Sequence, residues 1–381
     1  MKRDVRILHI ISGDLWAGAE VQSYTLISRL RRSPGTIVGA VVLNPGTLSE
    51  KLRALGIDVE VLDETRMNAR QILLQLRRFI QVWEPDIIHT HRDKENILGA
   101  IANWLTRRVP SVRTVHGAEE HRGEVGWRAV RRRVVVGVDR LVQRMSGETI
   151  VAVSPDLALT LAEHGLAQRI VVIENGVDIE GWNAQAGPSS GTFARLDATR
   201  IGIVGRLVPV KRVDLFLEMA RCLLNTEPTR VWKFEVLGDG PERERLEALC
   251  KRLEIGRHVT FHGHREDIAK RMSCFDLLVM CSDHEGMPMV ALEAAALGVP
   301  TVAHAVGGLI DAVPVEFQVT RHDPRGYCEA VLRALHGDAR AVTAKHAQRV
   351  LQKFSAERNG ERILALYREL LNSETNGRVT G

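Results

Sequence analysis

The stretch Ser282–Pro300, reading SDHEGMPMVALEAAALGVP, gathers the chain's densest set of groups suited to chemistry. It follows an apolar run, Leu277–Met280, that reads as a buried strand, so the loop falls at a strand's C-terminal end, where open α/β sheets place ligands. Pro288 suits the first turn of a helix and Gly298 its stop. Such a helix would present the free N–H groups of Met289, Val290 and Ala291, an anion site fit for phosphate. Glu285 precedes the helix and Glu293 lies more than a turn inside it. Two carboxylates beside a phosphate-binding helix end make sense as a grip on vicinal hydroxyls, such as those of a sugar or a ribose. Their bland alternative is a surface acid and a capping acid.

Other candidates also sit where apolar runs end. Arg206 and Lys211, in Gly205-Arg206-Leu207-Val208-Pro209-Val210-Lys211-Arg212, are two cations able to clamp a diphosphate, or a merely solvated basic loop. Gly238-Asp239-Gly240-Pro241 starts like a dinucleotide fingerprint, but Arg243 stands where the third glycine belongs, so it reads as a tight strand-to-helix turn. In Ser12–Glu20, Gly13 and Gly18 would let backbone come close to a ligand. His116 ends a strand and would point into a cleft. His89 and His91 share one strand face, yet no third ligand is evident nearby, so no metal site is expected. No phosphate-binding P-loop occurs, and no nucleophile elbow of the Gly-x-Ser-x-Gly type follows a strand.

Short apolar runs alternate with longer helical patterns along the chain, as parallel sheets covered on both faces require. The first set of strands falls at Val5–Ile11, Ile37–Leu43, Val59–Leu62, Ile87–His91, Ser111–His116 and Thr149–Val153. The second falls at 200–204, Trp232–Leu237, Val259–His262, Leu277–Met280 and Pro300–Ala303. Between the sets lies the one Gly/Ser/Pro-rich loop, Gly187–Gly191. The pattern predicts two doubly wound, Rossmann-like α/β domains facing each other across a cleft, with boundaries at 1–180 and 181–355. An amphipathic last helix, Ala356–Leu371, precedes a frayed tail in the remaining segment 356–381.

The 381 residues, 45% hydrophobic and 26% charged, exclude a disordered, collagenous or disulfide-stapled protein. Five cysteines without a CxxC pair suit a reduced cytosolic compartment and argue against a zinc ribbon. The apolar stretch after Met1-Lys2-Arg3 is too short for an export signal, and no run is long enough to span a membrane. The net charge of +5 is uneven: residues 1–146 carry +8 and the remainder −3. Six arginines against one acid between Trp127 and Met145 point to an anionic neighbour, such as lipid headgroups or a phosphorylated acceptor, or form a solvated helix face. With aromatics at 4% of the chain, nucleic acid is not an expected partner.

Glu285 and Glu293 within Glu-Gly-Met-Pro-Met-Val-Ala-Leu-Glu-Ala-Ala resemble the signature of glycosyltransferase family 4. Gly205-Arg206-Leu207 with Lys211, Asn175-Gly176-Val177-Asp178, Gly238-Asp239-Gly240-Pro241-Glu242 and Val306-Gly307-Gly308 resemble that family's other landmarks, in its order, from Ile7 to about Leu371. The resemblance implies a GT-B fold and a retaining, metal-independent transferase that takes a UDP- or GDP-linked sugar as substrate, with no cofactor. It implies that Arg206 and Lys211 hold the donor diphosphate and stabilise its departing charge, Glu293 the ribose and Glu285 the sugar hydroxyls. His116 would lie by the sugar and acceptor, Gly18 would close on the phosphates, and the loop with His264 and Arg265 would meet the base. The last helix would cross back to the first domain. The implied setting is polysaccharide or glycolipid assembly on a sugar or lipid-linked acceptor, in the cytoplasm or on the inner face of the plasma membrane. Two departures are Ala17-Gly18 in place of a Gly-Gly pair and Asp311 where a glutamate follows the later glycines. Rival readings are a glycoside hydrolase built on Glu285 and Glu293, a non-catalytic nucleotide-sugar-binding protein, and a nicotinamide-dependent dehydrogenase.

Overall fold

In the computed structural model the described residues run from 3 to 379, apart from 14–15, 17, 92, 117–136, 140, 145, 164–168, 188–197 and 288. Pro288 and most of the Trp127–Met145 and Gly187–Gly191 segments therefore lie outside the described residues. The chain divides into two compact units, Met1–Gly176 with Ala356–Gly381, and Val177–Ser355. The expected boundary after residue 180 is thus corrected to 176. At the new boundary Val177 bridges Ser355, and its N–H donates to the Phe354 carbonyl at 2.9 Å, so the chain's entry to and exit from the second unit run side by side.

The first unit holds a seven-stranded parallel sheet, ordered β3-β2-β1-β4-β5-β6-β7. Its strands are β1 Val5–Ile11, β2 Thr36–Val42, β3 Asp58–Val61, β4 Ile87–Thr90, β5 Ser111–Val115, β6 Thr149–Ala152 and β7 Arg169–Val172. Strand β7 was not anticipated: it is four residues long and only half-buried at the sheet edge, so it lacks the apolar run of a central strand.

The helix Ala69–Trp83 shows how local sequence builds this unit. Asn68 accepts from the Gln71 N–H at 3.1 Å, and the Gln71 side chain accepts from the Asn68 N–H at 2.9 Å, satisfying two donors at the helix start. Ile72, Leu76 and Ile80 form its buried stripe, each stabilising the fold by about 1.5–3 kcal/mol. Glu84 ends it in the left-handed conformation just before Pro85.

The final helix belongs to this unit, packing Ile363, Leu364, Leu366 and Tyr367 against Ile27 and Leu30. It runs from Ala356 to Val379, so the segment expected to fray after Leu371 is helical instead. No proline interrupts Asn372–Val379, and the backbone ladder simply continues.

The second unit holds a six-stranded parallel sheet, ordered β10-β9-β8-β11-β12-β13. Its strands are β8 Thr199–Val204, β9 Trp232–Leu237, β10 Val259–Gly263, β11 Leu277–Met280, β12 Thr301–His304 and the two-residue β13 Gln318–Val319, too short to leave a sequence signal. Its core is aromatic: Trp232 stacks on Phe234, which meets Phe216 edge-on. Gly202 of β8 makes room for Phe275, because a Cβ there would lie 1.9 Å from that ring.

Candidate functional site

Both sheets reverse their strand order beside their first strand, between β1 and β4 and between β8 and β11. Loops leaving such a switch point diverge and open a ligand crevice at the strands' C-terminal ends. In the second unit those loops are Gly205–Lys211 after β8 and Cys281–Glu285 after β11, two of the stretches singled out from the sequence. They line one concavity, with Gly205, Arg206 and Lys211 on one side and Cys281 and Ser282 on the other.

Glu285 is buried, yet its carboxylate is well provided for. Lys211 Nζ lies 2.5 Å from Oε1, and the Ser282 hydroxyl donates to the same oxygen at 2.6 Å. Burying a carboxylate without such partners would cost several kcal/mol. Arg206 stands exposed at the rim. The neighbouring Arg212, by contrast, is committed to structure: its guanidinium grips Asp214 and reaches Asp283 at 3.1 Å. Arg206 and Lys211 are therefore the two cations of this loop turned to the concavity.

The glycine landmarks act by close packing. Gly307 has φ +51°, and a Cβ there would lie 1.8 Å from the Glu285 carbonyl oxygen. The Gly308 N–H donates to the Gly286 carbonyl at 2.6 Å. The turn Gly238–Pro241 supports the other loop: Leu207 N–H donates to the Asp239 carbonyl at 3.0 Å, and a Cβ on Gly238 would lie 1.9 Å from the Gly205 oxygen. The segment read from the sequence as a tight strand-to-helix turn thus also braces the Gly205–Lys211 loop.

Met289, Val290 and Ala291 open the helix Met289–Ala296, directly after the Glu285 loop. Glu293 lies deeper on this helix, only 5% exposed, and burial raises its carboxyl pKa to about 8, so it is mostly protonated at neutral pH. His264 is exposed after β10, and Arg265 pairs with Asp267 at 2.9 Å. Both stand two strands from β8 along the sheet, apart from the Lys211–Glu285 pair. Asp311, in place of the family's glutamate, is exposed and pairs with Lys353 at 2.8 Å.

In the first unit Gly18 begins the helix Gly18–Arg31, and a Cβ there would meet nothing within 4 Å. Gly13 is the constrained glycine: its φ is +81° and a Cβ would lie 2.3 Å from Val42 Cγ1. His116 follows β5, with its Nε2 3.4 Å from His91 Nδ1. His91 in turn meets His9 Nδ1 at 3.0 Å and Ser23 Oγ at 3.1 Å. His9 is the third imidazole that the sequence spacing concealed, brought opposite His89 by the pairing of β1 with β4. His9, His89 and His91 could each turn a nitrogen toward a common ion, those atoms lying within 4.8 Å of one another. But His89 already sits between Tyr367 Oη at 2.5 Å and Thr114 Oγ1 at 2.8 Å. His9 Nε2 is buried with no hydrogen-bond partner among the described residues. Burial holds His9 at a pKa of about 3 and His89 well below the ordinary histidine range, so both rings are neutral.

Ser282 and His9 escaped the sequence reading for different reasons. Ser282 sits inside the quoted stretch but has no spacing signal of its own, and His9 becomes informative only through strand pairing.

Comparison with known proteins bears on both units. Residues 16–180 match the model described as Glycosyltransferase Family 4, and residues 198–337 match that described as Glycosyl transferases group 1. The chain is 32% identical over 308 residues to the D-inositol 3-phosphate glycosyltransferase of Geodermatophilus obscurus, covering 74% of this chain and 66% of that protein, just under two thirds. It is 24% identical to the Escherichia coli UDP-Gal:alpha-D-GlcNAc-diphosphoundecaprenol alpha-1,3-galactosyltransferase, over 85% of this chain and 86% of that one. Among solved structures, Anabaena Alr3699/HepE in complex with UDP and glucose is similar with a TM-score of 0.78 and 21% identity, covering 95% of this chain and 99% of that one.

Proposed function

The chain belongs to glycosyltransferase family 4 and has the GT-B fold, and from that premise we propose a retaining transferase that moves a sugar from a nucleoside diphosphate sugar to an acceptor hydroxyl in bacterial-type glycan or glycolipid assembly. The observation that carries this reading is Glu285, buried and bonded to Lys211 and Ser282, both of which line one concavity with Arg206. Without donor, Lys211 and Glu285 satisfy each other. With donor, the Lys211 ammonium and Arg206 guanidinium face the diphosphate, and Glu285 is released to hold hydroxyls of the transferred sugar. The N–H groups of Met289, Val290 and Ala291 add to the phosphate grip, Glu293 holds the ribose, and the His264–Arg265 loop meets the base. From the family resemblance alone, Gly18 is assigned to the phosphates and His116 to the sugar and acceptor.

The chemistry is same-face substitution. The bond from the sugar's anomeric carbon to the phosphate oxygen breaks, and the bond to the acceptor oxygen forms on that face. The acceptor's hydroxyl proton passes to the departing phosphate. Fixed cations aimed at the leaving group stabilise the charge it develops. This scheme uses no metal ion.

The hydrolase reading loses support from the geometry, since Glu285 is held by a lysine and Glu293 lies buried within a helix. A lipid-linked acceptor is favoured by the diphosphoundecaprenol-linked substrate of the Escherichia coli relative and by the arginine-rich segment, which would rest on anionic lipid. No helix among the described residues is long and apolar enough to cross a membrane.

The test is a calorimetric panel of UDP- and GDP-linked sugars in excess EDTA, followed by turnover of the best binder. Glu285→Ala should lower turnover about 100-fold while keeping affinity for the nucleotide alone. Near-normal turnover in that variant would refute the assignment, and release of sugar to water with no acceptor requirement would favour hydrolysis.

A further inference from the structure

The loop that carries Glu285 is gripped from behind by side chains the proposed chemistry does not use. His304, the last residue of β12, has its Nδ1 2.8 Å from the Ser282 carbonyl oxygen. A carbonyl only accepts, so Nδ1 carries the proton. The largest influence on this ring, burial, lowers its pKa, which keeps it neutral at pH 7. The ring lies flat on His322, with centroids 3.8 Å apart and planes inclined by 14°.

His322 is itself fixed at both nitrogens. Its Nε2 donates to Asp283 Oδ1 at 2.9 Å, and its Nδ1 lies 2.9 Å from the Tyr327 hydroxyl. Asp283 Oδ1 also accepts from Arg212 at 3.1 Å, and the Asp283 N–H donates to the Val210 carbonyl at 2.9 Å. The peptide between Ser282 and Asp283 is thus held at its carbonyl by His304, and its far end by the anchored Asp283. Its orientation sets the Ser282 side chain, whose hydroxyl bonds Glu285 Oε1 at 2.6 Å, the oxygen Lys211 also takes.

We propose that His304, seated on His322, is a positioning residue for the donor site: its Nδ1–H fixes the Ser282 peptide so that the Ser282 hydroxyl orients the Glu285 carboxylate toward the transferred sugar. This inference rests on the reading of Glu285 as the sugar-holding carboxylate. His304 touches no substrate. It acts through Ser282, and it belongs to a strand that the sequence signature does not reach. Asparagine is the informative replacement, because its side-chain N–H can occupy the place of Nδ1, whereas phenylalanine preserves the stack on His322 and removes the donor.

The experiment compares the full chain carrying His304→Asn, His304→Phe or Glu285→Ala with wild type. The readouts are turnover of the donor chosen by the nucleotide-sugar panel, affinity for the corresponding nucleoside diphosphate, the thermal midpoint, and ligand-free crystal structures of both His304 variants. His304→Phe should lose about tenfold in kcat, the effect of one misplaced hydrogen bond, with nucleotide affinity within about twofold of wild type. Its crystal structure should show the Ser282 hydroxyl withdrawn from Glu285. His304→Asn should restore turnover to within about threefold of wild type and restore the Ser282–Glu285 bond. Equal losses in the two His304 variants, or an intact Ser282–Glu285 bond in His304→Phe, would overturn the proposal. Retained turnover in Glu285→Ala would instead remove the underlying site reading, while the crystal structures still decide whether His304 positions Ser282.

Discussion

Replacing Glu293 by glutamine tests the buried carboxyl at both of its tasks. Burial lifts this group from its ordinary 4.5 to about 8, so between those values the folded protein holds a proton that the unfolded chain has released. Unfolding free energy must therefore fall as pH rises across that window. The stability tied to this group is whole below about 4.5 and gone once pH passes about 8. At about 1.4 kcal/mol per pH unit, the gap sets a ceiling of about 5 kcal/mol. Glutamine keeps the shape and never ionises. Scanning calorimetry of the ligand-free protein should find Glu293→Gln level with wild type at pH 5 and more stable at pH 8.5, by up to about 10 °C in Tm. The second task follows from the same proton. If Glu293 grips both ribose hydroxyls as a carboxylate, nucleotide binding at pH 7 must expel nearly one proton. The calorimetric heat should then depend on the buffer's ionisation enthalpy in wild type and not in Glu293→Gln. A midpoint difference independent of pH would refute the buried-proton argument, and binding without proton release would remove the carboxylate grip on the ribose.

Three further outcomes follow from the same geometry. Lys211→Met should weaken binding of the nucleotide sugar and lower turnover on the order of 100-fold, as measured by steady-state kinetics, since a charge aimed at the leaving group is lost. Gly307→Ala places a Cβ against the Glu285 carbonyl at 1.8 Å, so turnover should fall at least about tenfold in a protein that circular dichroism shows to be folded. Transfer activity should be unchanged in excess EDTA, and strict dependence on an added divalent ion would end the metal-free scheme.

Much of the fold was legible because parallel strands buried on both faces leave apolar runs, and because helix starts and stops have their own chemistry. Nearly every central strand was placed to within a residue or two. The edge strands β7 and β13 were not, since one is half-buried and the other two residues long. The domain boundary was displaced because what sets it is the Val177–Ser355 bridge, a contact between residues far apart in the chain. The last helix outran its amphipathic pattern because only a missing stop signal, and no apolar face, marks Asn372–Val379.

By itself the sequence determined which loops to propose as ligand-bearing. Arg206, Lys211, Glu285 and Glu293 could be chosen from residue type, spacing and position after a strand, all of them local properties. Tertiary structure decided how those groups are poised. Pairing of β8 with β11 brings Lys211 to Glu285, and Gly307 packs closely against the Glu285 carbonyl. The same folding buries Glu293 until it holds its proton, and sets His304 behind Ser282. Desolvation and hydrogen bonding depend on which atoms surround a group, and chain order alone does not specify those neighbours.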